Sequence, residues 1–362
     1  MDELQRAARV PLLLLGMLSL VGGVLAGLAR LDWTVPSVAA SAAGWHGALM
    51  ISAFLGTVIC LERAVAIGSG WAYLAPAAAG LGGVALLAGA PVILTQALFA
   101  AAAATLVGAS VQVLRRQFAP FTAILAIAAL CWLVGNLAWL GGGVLAAAVP
   151  WWLAFLVLTI ASERLELTRF LPTPAAARRL FLVIVAGVLA GATLSVFREE
   201  AGLMLFAASL LALAAWLLRH DIARRNARQA GLTRFIALCL LSGYAWLVLA
   251  GLLGLAGGLL PGHPWRDASL HAIGLGFVFS MILGHAPIIF PAVARVRIPY
   301  HAVFYLPLLA LHASLALRVA GGLGDGFALR RGGGLLNACA LLLFIATLLA
   351  GVVRGRRDHG AE

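Results

Sequence analysis

Apolar runs of roughly 18 residues or more recur along the whole chain, and no other feature narrows its fold so far. A helix crossing a bilayer needs about 20 consecutive apolar residues, because each backbone polar group must be satisfied within its own segment. Twelve spans can be read, at approximately 10–29, 42–62, 72–90, 93–113, 120–138, 143–162, 179–197, 201–219, 232–258, 268–290, 300–320 and 333–353. Gly89-Ala90-Pro91 and Gly141-Gly142-Gly143 mark short turns between spans three and four and between spans five and six. The expected fold class is an all-α polytopic membrane protein of about 12 transmembrane helices, a single transmembrane domain over residues 1–362. A large soluble protein is excluded by charge: 10% of the residues are charged, against about 25% in soluble domains. The longest polar stretch, from His220 to Arg228, is an interhelical linker.

The formal net charge of +12 comes from arginines in the gaps between apolar runs, which suits lipid headgroups rather than nucleic acid. Arg63, Arg115, Arg116, Arg164, Arg169, Arg178, Arg179, Arg219 to Arg228, Arg295, Arg297, Arg354, Arg356 and Arg357 fall on one side. The other side holds Arg30, Arg198 and Arg266, with Arg330 and Arg331 as the exception. The bias places both termini in the cytoplasm. Arg6 and Arg9 precede a first span without a clear cleavage signal, so that helix is expected to be retained. Cys60, Cys131, Cys239 and Cys339 lie singly in apolar runs and form neither a disulfide framework nor a metal motif.

A partial repeat links spans two and six. Ala53-Phe54-Leu55, Ile59 and Glu62-Arg63 match Ala154-Phe155-Leu156, Ile160 and Glu163-Arg164 at a constant offset of 101 residues. The spacing is four helices, and span ten, with His271 where span two has His46, is next in the series. Three four-helix arcs follow: 1–116, 117–228 and 229–362.

Ionisable groups within spans are costly and point to function by default. His46 and His271 open spans two and ten, which run in the same direction, so their imidazoles belong at similar depth. Facing each other, they could hold a metal or haem iron, with Gly44, Gly47, Gly274 and Gly276 admitting a flat macrocycle; alternatively, each is an interfacial histidine bonded to water or headgroups. His285 lies about 21 Å along the helix from His271 and cannot share its metal. His285 and His301, near the cytoplasmic end, could form a second metal site or part of a proton route, or be plain helix-end histidines. His312 competes with His46 and His271 as an iron ligand. His220, His263 and His359 read as surface residues.

Glu62-Arg63 and Glu163-Arg164 read as structural ion pairs that lock helices together, for example Glu62 with Arg164, with proton uptake as the sharper alternative. Asn136, Ser52, Thr57 and Ser280 are placed to hydrogen-bond across helices. Trp33, Trp45, Trp71, Trp151, Trp152 and Trp265 sit near span ends, as an aromatic belt requires. The sequence carries no HExxH, Walker, dinucleotide-binding or CxxCH motif.

The segments His46-Gly47-Ala48-Leu49-Met50 with Phe54-Leu55-Gly56, and His271-Ala272-Ile273-Gly274-Leu275-Gly276-Phe277 with Met281-Ile282-Leu283-Gly284-His285, resemble the NnrS family. That resemblance implies a twelve-helix protein of the bacterial cytoplasmic (inner) membrane, linked to nitric oxide and nitrosative stress and associated with haem and copper. The family's early segment usually has more than one histidine and this chain has His46 alone, so haem fits better than copper. A weaker, architectural resemblance is to the catalytic subunit of haem-copper oxidases and nitric oxide reductases, whose second and tenth helices hold a low-spin haem. The histidines those proteins place on helices six and seven are missing here, which argues against a complete reductase site.

The expectation is a haem-b-binding membrane protein with His46 and His271 as axial ligands and Arg30 or Arg266 near the propionates. If it is an enzyme, it is a haem-dependent oxidoreductase. Its partners would be the lipid bilayer, nitric oxide or a redox protein, and a second copy in a homo-oligomer. The competing readings are a small-solute transporter or channel built around His285-Ala286-Pro287, and a cofactor-free scaffold or assembly protein.

Overall fold

The computed structural model describes residues 6–168 and 174–359, with side chains described for 9–168 and 174–356. Arg169 lies outside the described residues, and so do the side chains of Arg6, Arg357 and His359. Twelve helices are long and apolar enough to cross a membrane. They are span one (Arg9–Ala29), two (Ala43–Ile67), three (Gly70–Leu87), four (Val92–Arg116), five (Pro120–Leu140) and six (Leu145–Thr168), then seven (Ala175–Leu194), eight (Glu199–His220), nine (Gly231–Gly258), ten (Arg266–Ala294), eleven (Ala302–Leu323) and twelve (Phe327–Arg356). No strand occurs among the described residues. The protein is a multi-pass helical membrane protein of the expected class.

Turn chemistry sets the breaks between helices. Gly89 and Gly142 take φ of 71° and 91° in the two tight connections, a conformation that glycine adopts without a Cβ penalty. Pro91 and Pro174 precede the first turns of spans four and seven, and Pro120 opens span five at a position whose N–H has no helical acceptor.

The chain forms two compact units, one running to Thr159 with Val293–Arg295 and the other holding Ile160–Ala292 and the chain from Val296 onward. In the first, span one packs against spans two and three, three against four, and four against five. Its core is a polar knot inside an aromatic shell. Asn136 Oδ1 accepts from Trp152 Nε1 at 3.0 Å and from Ser52 Oγ at 3.3 Å, and Asn136 Nδ2 donates to the Phe99 carbonyl at 3.2 Å. Trp132 Nε1 donates to Ser52 Oγ at 3.1 Å, and its ring stacks on Phe155 at 5.1 Å. Asn136 and Ser52 therefore do bond across helices. Thr57 does not: its buried hydroxyl has no hydrogen-bond partner among the described residues. Ser280 bonds within its own helix, to the Gly276 carbonyl. Trp152 is fully buried, so it belongs to this core rather than to an aromatic belt.

Replacing Asn136 with Leu would strand the Trp152 N–H and the Ser52 hydroxyl in an apolar core. The expected loss is about 1–3 kcal/mol, measured by equilibrium unfolding in mixed micelles; an unchanged midpoint would mean that the knot carries no net stability.

In the second unit, span seven packs on eight, eight on nine, nine on ten, ten on eleven, and eleven on twelve. Span ten is the most enclosed of spans seven to twelve, and it carries both His271 and His285.

Candidate functional site

Spans two and ten share a local irregularity. Each continues past its histidine into a π-helical stretch, Leu49–Leu55 after His46 and Ala272–Phe279 after His271. π-Helical segments are rare and concentrate at functional sites, because the widened turn displaces side chains from their regular register. The recurrence of one after each of the two candidate ligands is the strongest local likeness between these helices.

In the first unit, the His46 ring lies in a groove on span one. Its Nδ1 donates to the Gly23 carbonyl at 2.7 Å, and a Cβ on Gly27 would stand 2.8 Å from the ring. A carbonyl can only accept, so Nδ1 carries a proton, and a neutral ring would hold its lone pair on Nε2. Gly23 and Gly27, one helical turn apart, are what allow the ring so close to span one.

In the second unit, His271 Nδ1 donates to the Asp267 carbonyl at 2.8 Å and lies 3.3 Å from Asp267 Oδ1. A neutral ring would again hold its lone pair on Nε2. Asp267 is gripped by Arg318 of span eleven through two parallel bonds, Nε to Oδ2 at 2.9 Å and Nη2 to Oδ1 at 2.7 Å. The resulting chain, Arg318 to Asp267 to His271, has the form of the carboxylate–histidine supports that orient metal-binding imidazoles. Sequence reading overlooked both Asp267 and Arg318. Two signals were present: an aspartate four residues before His271, one turn away on a helix, and an arginine inside an apolar span.

The remaining histidines have other partners. His312 accepts from Trp246 Nε1 at 2.9 Å on Nδ1 and donates from Nε2 to Ser242 Oγ at 2.9 Å. Both its nitrogens are held by protein, so it offers no position to iron. His285 donates from Nδ1 to the Met281 carbonyl at 2.7 Å and accepts on Nε2 from Arg164 Nη2 at 3.0 Å. It too is fully engaged, and Arg164, expected to pair with a glutamate, has a histidine partner. Exposed His301 uses Nδ1 to accept from the Val303 N–H at 3.1 Å, capping a short turn. No group of three or more His, Cys, Asp or Glu suited to a metal ion occurs among the described residues.

The glycines divide in the same way. A Cβ on Gly44, Gly47 or Gly274 would meet nothing within 4 Å, so the backbone beside both histidines borders open space. Gly276 differs from the sequence expectation: its Cβ would lie 2.5 Å from Trp246, so it serves helix packing and not access. Arg266 donates to the Leu259 carbonyl, and Arg30 is exposed just past the end of span one.

Residues 9–353 match the family described as Domain of unknown function (DUF8744), and the chain belongs to that family. Comparison with curated proteins gave no match.

Proposed function

We propose that this protein binds haem b in the bacterial cytoplasmic membrane, with both termini cytoplasmic, and serves nitric oxide response or redox chemistry there. His46 and His271 each supply an imidazole to iron. One observation carries the reading: both histidines donate Nδ1–H to a main-chain carbonyl, lead into a π-helical stretch and have glycines opening onto free space beside them. The donor set fits a haem, since neutral imidazole with its lone pair on Nε2 is the form that ligates. The resemblance to NnrS proteins supports the same cofactor.

Bound haem would supply a one-electron iron centre. The chain's part is to hold and tune it. The Gly23 and Asp267 carbonyls fix the imidazole tautomers, and the Asp267 carboxylate beside His271 would favour the oxidised state of a bound iron. Arg318 holds that carboxylate in place through two bonds. If both imidazoles serve as ligands they would leave no position for a gas, so electron transfer is the favoured activity.

The test is an absorption spectrum of the purified protein, oxidised and reduced. Reduced haem bands are expected in the wild type and are expected to be lost in His46→Ala and His271→Ala while far-UV circular dichroism stays helical. Gly27→Val should lower haem content nearly as far as His46→Ala, because its side chain would occupy the place of the His46 ring. A colourless wild type, expressed with ample haem and free of metal by elemental analysis, overturns the reading, as does a spectrum that survives loss of both histidines.

A further inference from the structure

A second group of polar side chains lies apart from His271, within the second unit. It brings together Arg164 near the end of span six, Asp221 just past the end of span eight, Tyr244 in span nine and His285 in span ten. All these even-numbered spans end at the same membrane face. Arg164, Asp221 and Tyr244 are 5%, 6% and 0% exposed, deep enough that each polar atom needs a partner.

Some of those partners are present. Arg164 Nη2 donates to His285, and Asp221 Oδ1 accepts from the Ala223 N–H at 2.7 Å. Arg164 Nε, Asp221 Oδ2 and the Tyr244 hydroxyl have none among the described residues. Yet the Tyr244 hydroxyl faces the Asp221 carboxylate, and the Arg164 charge acts on both. A purely structural ion pair would close Arg164 onto Asp221. Here the guanidinium bonds a neutral imidazole instead, and the Asp221 carboxylate and the Tyr244 hydroxyl lie close enough to act on each other and to feel its charge.

The charges decide what fits among them. Arg164 and Asp221 offset each other, so neither a free cation nor an anion gains by entering. Water suits this set: it needs two to four polar partners, and these three atoms offer both donors and an acceptor.

We propose that Arg164, Asp221, Tyr244 and His285 form a buried proton-binding site, in which one water bridges Arg164 Nε, Asp221 Oδ2 and Tyr244 Oη, and Asp221 takes up the proton. The proton arrives from hydronium at the face where span eight ends; hydronium leaves as water, the carboxylate becomes the acid, and no electron moves. Access is short, since Asp221 follows Arg219 and His220 and precedes the exposed Arg224 and Arg225. Burial pushes the Asp221 carboxyl above the usual carboxylate range, against the opposing pull of Arg164, the Ala223 N–H and Tyr244. Glu163 adds a negative charge beside His285 and balances Arg164 from that side.

The experiment is pH-difference infrared spectroscopy of the full-length protein in lipid nanodiscs, read at the carbonyl stretch of protonated carboxylic acids. A band titrating above the ordinary carboxylate range is expected, lost in Asp221→Asn and kept in Asp325→Asn at an exposed site. Arg164→Lys and Tyr244→Phe should each shift its midpoint by a pH unit or so. If Asp221→Asn fails to fold, labelling aspartate with carbon-13 in the wild type tests the band instead: an unshifted band does not come from aspartate and overturns the proposal. Absence of the band, its survival in Asp221→Asn, or a midpoint indifferent to both Arg164→Lys and Tyr244→Phe overturns it equally. None of these outcomes depends on haem.

Discussion

Arg318→Met is expected to destabilise the protein by about 3 kcal/mol. The reason lies in what it leaves behind. Arg318 is 8% exposed and holds both carboxylate oxygens of Asp267. Removing one partner of an enclosed pair leaves an uncompensated charge, and that costs more than the pair itself contributes. The Asp267 side chain keeps 27% of its surface exposed, which places the loss toward the lower end of the usual 3–5 kcal/mol. The double variant Asp267→Asn with Arg318→Met should recover most of the stability, since neither charge remains. Equilibrium unfolding in mixed micelles measures all three proteins. Additive losses would show that the two side chains act independently and that the forked pair is incidental. Under the haem reading, Asp267→Asn carries a second signature: weaker support of His271 should raise the reduction potential.

The same pair shows where sequence reading stops. Hydropathy found the twelve spans because each is an unbroken apolar run, and that property is local. It set the start of span ten at residue 268, whereas the helix begins at Arg266. A hydropathy scale scores Asp267 as fully charged and cannot know that Arg318, 51 residues later, neutralises it. The end of span six was likewise placed at 162 although the helix runs to Thr168, because Glu163 and Arg164 read as a polar boundary. Their environment is made by residues far along the chain: His285 lies 121 residues from Arg164.

His46 and His271 stand out in the sequence because both open long apolar helices. Their distinction from His312 does not. His312 is placed just as plausibly for iron until Trp246 and Ser242, 66 and 70 residues away, take up its two nitrogens. The π-helical stretches were also hidden. They are a matter of backbone register, and sequences such as Leu49-Met50-Ile51 or Ile273-Gly274-Leu275 read as ordinary membrane helix.

Glycine supplies the sharpest contrast, because one substitution should have opposite outcomes at neighbouring positions. Spans seven and eight meet backbone to backbone: a Cβ on Gly202 would stand 2.1 Å from the Ser195 nitrogen, and one on Gly191 2.5 Å from the Phe206 nitrogen. Backbone cannot rotate away as a side chain can, so Gly202→Ala must separate the helices. The expected cost is at or above the upper end of the roughly 1–3 kcal/mol typical of overpacking. Gly276→Ala, against the Trp246 ring, should fall within that range. Gly274→Ala, two residues away in the same π-helical stretch, meets nothing within 4 Å and should leave stability within about 0.5 kcal/mol of wild type. Unfolding midpoints of the three variants check the order, and equal losses at 274 and 276 would contradict the packing described for span ten. Gly274 then becomes informative about function. A residue that packs against nothing has no structural reason to be small, so a bulky replacement such as Gly274→Phe should be harmless to the haem-free protein. If the space beside His271 is where a macrocycle lies, the same replacement should sharply reduce haem content. Stability unchanged and haem lost is the combination that a merely structural glycine would not produce.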